Sequence, residues 1–146
     1  METLDVIDVL NDLLAEETRS LLPRLHESIV FVSWPSADEQ SAVARMIAEQ
    51  REHPAWLVAA MNDLGGNPVP ALPDIRSTNF HFVELSSVLP RILAEERRLL
   101  RAYESAGATI GDNVRAAQVI ARVAERRRRH IDALARLTAR TSPQTA

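Results

Sequence analysis

Seven polar side chains stand at positions where the spacing of the neighbouring apolar residues predicts a buried helix seam. Burying a charge is costly unless it is paired, hydrogen-bonded or bound to a metal. Six of the positions lie close to the middle of their predicted helices and would meet in one layer of an aligned bundle, and Tyr103 lies one heptad further along the seam of Glu96. Carboxylates and imidazoles together can hold a metal, and an arginine among carboxylates forms a buried ion pair. The seven residues are Glu17, Gln50, His53, Glu96, Tyr103, Arg127 and His130.

Four long stretches with helical spacing carry these residues. Apolar side chains recur every three or four positions within residues 4–31, 36–64, 80–106 and 113–137. One apolar stripe on each helix predicts an all-α fold, a four-helix bundle around one core. Gly65 and Gly66 signal the end of the second helix, and Asp112 or Asn113 is expected to cap the fourth. The bundle is expected to span residues 1–140, followed by a disordered tail at 141–146.

The connection between the second and third helices sets the topology. A helix of about 28 residues is roughly 42 Å long. The connection at residues 65–78 is rich in proline, and its fourteen residues could reach about 46 Å when extended. It can therefore run the length of the bundle and make helices 2 and 3 parallel. The alternative is a compact loop in a simple up-down bundle.

Composition narrows the function classes. The chain has 146 residues, a formal net charge of −3 and no cysteine, and all 17 of its basic residues are arginine. Without cysteine or lysine it has no thiolate nucleophile, no Schiff-base lysine and no P-loop lysine. The mild acidity predicts no nucleic-acid partner, and no apolar run is long enough to predict a membrane span. The N-terminus lacks the features of a signal peptide, so a cytoplasmic location is expected.

Four features of the sequence carry a resemblance to a known family. They are residues 6–17 (VIDVLNDLLAEE), which end on Glu17; residues 49–53 (EQREH), followed by residues 64–68 (LGGNP); Glu96; and residues 127–130 (RRRH). Together they resemble the ferritin-like superfamily, most closely bacterioferritin. The resemblance implies a bundle whose core holds two irons, ligated by one Glu on each of two helices and a Glu-x-x-His on each of the other two.

The chain departs from this pattern at two ligand positions. Gln50 and Arg127 stand where the family has Glu residues that bridge the irons, and a guanidinium cannot bind a metal. Arg51 occupies the position of the family's haem-ligand Met, so no haem is expected. Arg24 replaces a Tyr of the first helix, and Tyr103 supplies a different inward Tyr. The family ligands that remain are Glu17, His53, Glu96 and His130.

The departures leave alternatives open. In the first hypothesis the centre has lost its metals, and Arg127 lies between Glu17 and Glu96 while a protonated His balances the remaining negative charge. The protein would then have no cofactor and no ferroxidase activity, and would be a structural, binding or assembly module.

In the second hypothesis a metal remains. Iron, manganese or zinc would bind to Glu17, His53, Glu96 and His130, and the protein would act in iron storage or oxidative-stress handling. Glu49 could then replace Gln50 as a ligand. A third alternative is that the polar seam is aligned wrongly.

Three further features bear on the site and on assembly. Pro54 is expected to kink helix 2 and to free the carbonyl of Gln50. Arg126, Arg128 and Arg129 are expected to be solvated, near Glu95 or Asp132. The apolar run at residues 29–32, with Trp34, could join a subunit interface, and we expect a homo-oligomer, a dimer or larger.

Overall fold

The computed structural model describes residues 2–23, 37–69 and 85–141, and these are helical apart from short turns. They contain five longer helices: α1 (Thr3–Arg19), α2 (Ala37–Gln50), α3 (His53–Asp63), α4 (Leu85–Thr109) and α5 (Val114–Thr141). Residues 21–23 are helical as well. The helices α2 and α3 follow one another as a single arm, so the bundle has four arms. No strand occurs among the described residues. The predicted all-α four-helix bundle is confirmed.

Two apolar clusters fill the two ends of the bundle and show which way each arm runs. We name them the Leu10 cluster and the Leu134 cluster. The Leu10 cluster contains Val6, Ile7, Leu10, Leu13 and Leu14 of α1, Leu57, Ala60 and Met61 of α3, Tyr103, Ala106 and Ile110 at the end of α4, and Ala116, Val119, Ile120, Val123 and Ala124 of α5. The Leu134 cluster contains Leu22, then Val43, Met46 and Ile47 of α2, Val88, Leu89, Ile92 and Leu93 of α4, and Ile131, Leu134 and Leu137 of α5.

The composition of the clusters fixes the topology. The arm of α2 and α3 begins in the Leu134 cluster and ends in the Leu10 cluster, and α4 runs in the same direction. The second and third arms are therefore parallel, and the chain between them must cross the length of the bundle. The long crossover is thus confirmed, and the compact up-down connection is wrong. Residues 70–84, which contain most of this crossover, lie outside the described residues.

The start of the crossover is anchored to α1. Leu64 is the C-cap of α3. The N–H groups of Gly65 and Gly66 donate to the carbonyls of Asn62 (3.0 Å) and Met61 (2.8 Å), the bond pattern of a Schellman motif. Gly65 has a φ of +79°, which favours glycine. A Cβ on Gly66 would lie 2.6 Å from the Ile7 side chain, so the chain turns directly against α1.

Asn11 of α1 reinforces this anchor. Its amide nitrogen donates to the carbonyl of Asn67 (3.2 Å), and its amide oxygen accepts from the N–H of Val69 (2.7 Å). The two bonds satisfy backbone groups that no helix pairs. They direct the chain along α1 as it leaves the second arm.

The second arm is broken rather than bent. The single helix predicted to end near Leu64 stops at Gln50, and α3 starts at His53 after a turn at residues 51–52. Pro54 lies in the first turn of α3, where proline is tolerated because its missing N–H would be unpaired there. The proline cannot donate to the carbonyl of Gln50, so a new helix begins instead of a kinked one continuing.

Other helix limits also differ from the predictions. The helix α1 ends at Arg19, because Ser20 has an extended backbone (φ −60°, ψ 136°), and a prediction that it runs to residue 31 passes through this break. Asn113 caps α5, its side-chain oxygen accepting from the N–H of Ala116 (3.0 Å). The helix α5 continues to Thr141, so the expected tail begins no earlier than residue 142. Residues 24–36 and 142–146 lie outside the described residues, and so do the apolar run at 29–32 and Trp34.

No helix in the described ranges 2–23, 37–69 and 85–141 has the length and apolar character required to cross a bilayer.

Candidate functional site

A layer of buried polar side chains separates the Leu10 and Leu134 clusters. Every arm contributes to it, and its members are at most 5% exposed. We call it the central layer; it contains Glu17, Gln50, His53, Glu96, Tyr103, Arg127 and His130. The structure thus brings together all seven polar residues that the sequence analysis placed on buried helix seams.

Arg127 lies between the two carboxylates of the layer. Its Nη2 donates to Oε1 of Glu17 (2.5 Å) and its Nη1 donates to Oε2 of Glu96 (2.6 Å). The guanidinium itself is fully buried. One fixed positive charge from α5 therefore bridges a carboxylate of α1 and a carboxylate of α4.

Neutral side chains donate further hydrogen bonds to the two carboxylates of this bridge. The hydroxyl of Tyr103 donates to Oε1 of Glu17 (2.6 Å). The Nε2 of Gln50 donates to Oε2 of Glu96 (3.0 Å) and lies 3.1 Å from Nδ1 of His130. A neutral His130 with an unprotonated Nδ1 accepts this second amide hydrogen. Gln50 therefore acts as a hydrogen-bond donor to both groups.

The break in the second arm positions two members of the layer. Gln50 is the last residue of α2 and His53 is the first residue of α3, so the turn between them presents both side chains to the core. Nδ1 of His53 lies 3.5 Å from Oε2 of Glu17, and its ring lies 5.3 Å from the ring of Trp56. On α5, Arg127 and His130 are three residues apart and share the inward face.

Burial affects the two carboxylates unequally. Burial raises the pKa of Glu17, but Arg127, His53 and Tyr103 outweigh it and hold the pKa at about 2, below the ordinary 4.5. Burial dominates at Glu96 and raises its pKa, although Arg127 and Gln50 oppose it. Glu17 is therefore the ionised partner of Arg127. Two carboxylates against one guanidinium leave one surplus negative charge in the layer.

The pKa values of His130, Tyr103 and Arg127 are shifted as well. Burial lowers the pKa of His130 to about 4, with only partial compensation from Glu49. The expectation that a protonated His balances the surplus charge is therefore wrong for His130. Burial and the Glu17 carboxylate raise the pKa of Tyr103, which stays a hydrogen-bond donor. Glu17 and Glu96 outweigh burial and raise the pKa of Arg127 above its ordinary value, so the guanidinium stays charged.

The layer as arranged does not fit a pair of metal ions. No group of three or more His, Cys, Asp or Glu side chains in the described part of the chain has the geometry of a metal site. Glu17 and Glu96 each direct an oxygen at Arg127. A divalent ion in the same space would meet a buried positive charge that cannot be removed by deprotonation. Glu17, His53, Glu96 and His130 are thus placed in one layer, but not as a ligand set.

Several polar atoms of the layer have no hydrogen-bond partner. They include an oxygen of each carboxylate and of Gln50, and ring nitrogens of both histidines: Glu17 Oε2, Gln50 Oε1, Glu96 Oε1, His53 Nδ1 and Nε2, and His130 Nε2. Buried groups of this kind normally find a partner in protein or in ordered water. These atoms are the feature of the layer that favours a small bound species.

Arg126 contradicts the expectation of a solvated side chain near Glu95 or Asp132. It is 15% exposed, its guanidinium carbon lies 4.4 Å from the centre of the Trp56 ring, and its Nη1 donates to the carbonyl of Glu49 (2.8 Å). This carbonyl belongs to the last turn of α2, beside the turn at residues 51–52. The same Nη1 lies 3.7 Å from Oε1 of Glu52. The arginine therefore closes the outer side of the turn that presents Gln50 and His53.

Glu49 lies at the edge of the layer. The sequence analysis considered it only as a metal ligand in place of Gln50. Its Oε2 lies 3.7 Å from Nε2 of His130 and 3.5 Å from Nε of Arg126, and its side chain is 32% exposed. The partly exposed carboxylate of Glu49 is thus close to the buried imidazole of His130. It does not enter the Arg127 bridge.

Comparison with known proteins supports the fold. No protein-family model and no curated protein matches the chain. Among solved structures, the chain is similar to a crystal structure described as ferritin like, diiron-carboxylate proteins from Bacillus anthracis str. Ames, with a TM-score of 0.74. The match covers 94% of this chain and 99% of that chain at 18% sequence identity. The likeness shows that the chain has a ferritin-like four-helix bundle fold.

Proposed function

We propose that this chain is a bacterioferritin-related protein in which an ion-pair network around Arg127 replaces the di-iron centre. In this proposal the protein lacks ferroxidase activity, holds no haem and serves as a structural, binding or assembly module. The observation that carries the proposal is the fully buried guanidinium of Arg127, which donates to both Glu17 and Glu96.

The chemistry of the replacement is consistent. A pair of divalent ions organises the carboxylates and imidazoles that surround it, and without metals the same carboxylates need another cation. Arginine suits this role, because its planar fork donates to two carboxylates at once and stays charged when buried. Gln50 keeps the size of a glutamate and adds a donor, which supports Glu96 where a second negative charge would not.

We propose a structural, binding or assembly role because the layer lacks what ferroxidase activity needs. Ferroxidase chemistry needs two redox metals and bridging carboxylates, and Gln50 and Arg127 offer neither. The remaining roles for a stable four-helix bundle are binding and assembly, and we propose a cytoplasmic homo-oligomer that does not depend on metal. Light scattering of the purified protein should give the same oligomer with and without a chelator.

Metal analysis tests the proposal directly. Protein purified without chelator should contain far less than one iron, manganese or zinc ion per chain, and adding these ions should leave its melting temperature unchanged. The Arg127→Glu variant removes the fixed charge and creates a Glu-x-x-His spacing with His130. This variant should gain metal-dependent stability, about 3 kcal/mol at a metal concentration near one hundred times the Kd.

Arg128→Glu is the matched control, since Arg128 is exposed on the same helix and only 3.8 Å from the Glu104 carboxylate. It should bind no metal. If the Arg127→Glu variant folds only when metal is present, that dependence is the same positive result.

A second candidate function is metal binding by Glu17, His53, Glu96 and His130, in iron storage or oxidative-stress handling. The unpaired oxygens and ring nitrogens of these residues favour it. It requires Arg127 to leave the layer and a metal to take its place, with Glu49 as a possible further ligand. One tightly bound metal per unmodified chain would establish this function and overturn the first proposal.

A further inference from the structure

A cavity of about 290 Å³ lies between α3 and the first half of α5, separate from the central layer. Its apolar lining comes from α3 and from Val119 of α5, and its other lining groups are polar side chains of α5. The residues that line it are Trp56, Ala59, Arg115, Gln118, Val119 and Arg122. Two guanidinium groups and one amide face the cavity, and no carboxylate is among the lining residues.

The polar groups form a row on one face of α5. Arg115, Gln118 and Arg122 are spaced by three and four residues, so their side chains follow one another along the helix. Arginine offers only donors, and the amide of glutamine can donate as well. A row of donors with no acceptor charge in the lining is suited to an anion.

Trp56 holds the Arg122 guanidinium in place. The guanidinium carbon of Arg122 lies 3.6 Å from the centre of the Trp56 ring, a cation–π contact. A guanidinium stacked in this way keeps the N–H groups of its edge free for a further partner. Within the described part of the chain, no carboxylate lies within ion-pair distance of Arg122. Its charge is therefore positioned but not neutralised.

Arg115 is only partly engaged. Its Nε donates to Oδ2 of Asp63 (2.7 Å) at the rim of the cavity. This bond orients the side chain and leaves both terminal nitrogens of the guanidinium available. Arg115 and Arg122 stand about two turns apart on α5, roughly 10 Å along the axis. That spacing suits one anionic group near Arg122 and Gln118, with Arg115 at the far end of the ligand.

We propose that this cavity binds a small planar organic anion, a ring that carries a phosphate or carboxylate group. The anionic group accepts hydrogen bonds from Arg122 and Gln118, and the ring lies against the apolar side formed by Trp56, Ala59 and Val119. The volume is at the lower end of ligand cavities, roughly 300–1,000 Å³, which limits the ligand to about one ring.

The two tryptophans of the chain, Trp34 and Trp56, allow a direct test by NMR. The indole N–H signal of Trp56 is assigned by its loss in Trp56→Phe. Phenyl phosphate is the probe, and it should shift this signal in a saturable manner at millimolar concentration or below. Inorganic phosphate should bind more weakly, and phenol should not bind. Equal binding of inorganic phosphate would overturn the role given to the ring, and absence of a saturable shift would overturn the site.

Charge variants separate a specific site from general attraction. Arg122→Gln should weaken phenyl phosphate binding about tenfold, as expected for loss of a charged hydrogen-bond donor. The control Arg128→Gln removes an exposed arginine of the same helix that lies near Glu104, and it should bind like the unmodified protein. Equal weakening in both variants, or none in Arg122→Gln, contradicts the proposal. If Arg122→Gln does not fold, Gln118→Glu places a negative charge in the row and should abolish binding.

Discussion

Two triads of one arginine and two glutamates stand side by side in this molecule. The buried triad is Arg127 with Glu17 and Glu96, and the surface triad is Arg98 with Glu16 and Glu95. The glutamates of the two triads are sequence neighbours on α1 and α4. Both arginines connect the same two helices through similar short bonds, yet Arg127 is fully buried and the Arg98 side chain is 46% exposed.

The comparison indicates that burial, rather than the set of interacting groups, determines how much such a triad affects the stability of the fold. In the surface triad, water can solvate any group that loses its partner, so each bond contributes little. In the buried triad, removal of one partner leaves a charge without solvent, which is costly. The buried triad therefore makes the fold depend on Arg127, whereas the surface triad is close to neutral. The predictions below test that difference in order of expected size.

The largest effect is expected for Arg127→Ala. It leaves Glu17 and Glu96 buried without their common cation and should lower the free energy of unfolding by about 3–5 kcal/mol. Chemical denaturation measures it. Arg98→Ala is the matched control. An Arg127→Ala variant as stable as the control would show that the two carboxylates reach water, which contradicts their burial.

The second prediction concerns the recovery of that loss. Replacing the whole buried triad by neutral groups, as Arg127→Met with Glu17→Gln and Glu96→Gln, removes the charges that had no partner. A neutral set of similar volume is often as stable as a buried ion pair. We expect recovery of at least about 2 kcal/mol relative to Arg127→Met alone, measured by denaturation. Lack of recovery would indicate that the shape of the arginine, rather than its charge, stabilises the layer.

The third prediction uses pH. His130 has a pKa of about 4 in the folded protein and an ordinary value of 6.5, so only the unfolded chain takes up its proton between these values. Its contribution to stability is complete above pH 6.5 and is lost as the pH falls toward 4. The loss should be about 2–3 kcal/mol, because each unit of pKa difference corresponds to about 1.4 kcal/mol.

The difference between the unmodified protein and His130→Gln isolates this contribution. Glu17, with a folded pKa of about 2, loses its own contribution only as the pH falls from 4.5 to 2. Glu96 has a raised pKa and acts in the opposite direction, since stability falls as the pH rises from 4.5 toward that pKa. The contributions of Glu17 and Glu96 are also present in His130→Gln, so they largely cancel when the stabilities of the two proteins are subtracted. A difference that is flat between pH 6.5 and 4 would show that the buried imidazole is protonated in the folded state.

The position of the buried triad was accessible from the sequence, because each member interrupts an apolar stripe. A charge in the middle of a helical seam must be accounted for, and Glu17, Glu96 and Arg127 each occupy such a place. The surface triad gives no such signal. Arg98 interrupts no apolar stripe, and nothing in the spacing indicates that Glu16 of α1 lies beside it.

Two features of the second arm could not be read from the periodicity. The apolar spacing continues across residues 51–52, although the backbone turns there, because a turn of two residues keeps later side chains on nearly the same face. Pro54 was visible, but whether it bends a helix or begins one depends on the residues that pack against it. Arg126 was misplaced for a related reason: its long side chain reaches Trp56 and the Glu49 carbonyl on another arm, and one-helix patterns do not include such partners.

The smallest effect is expected for Arg98→Ala, which tests the contribution of the surface triad to stability. Arg98 donates to Oε2 of Glu16 (2.9 Å) and to both oxygens of Glu95 (2.9 and 3.1 Å), so its geometry is as favourable as that of the buried arginine. If geometry determined the energy, the two alanine variants would lose similar stability. Because solvent screens exposed charges, we expect a loss below about 1 kcal/mol, which shrinks further in about 1 M salt. Denaturation at two salt concentrations measures it, and a salt-independent loss of several kcal/mol would mean that the surface triad is also shielded from water, for example by a second copy of the chain.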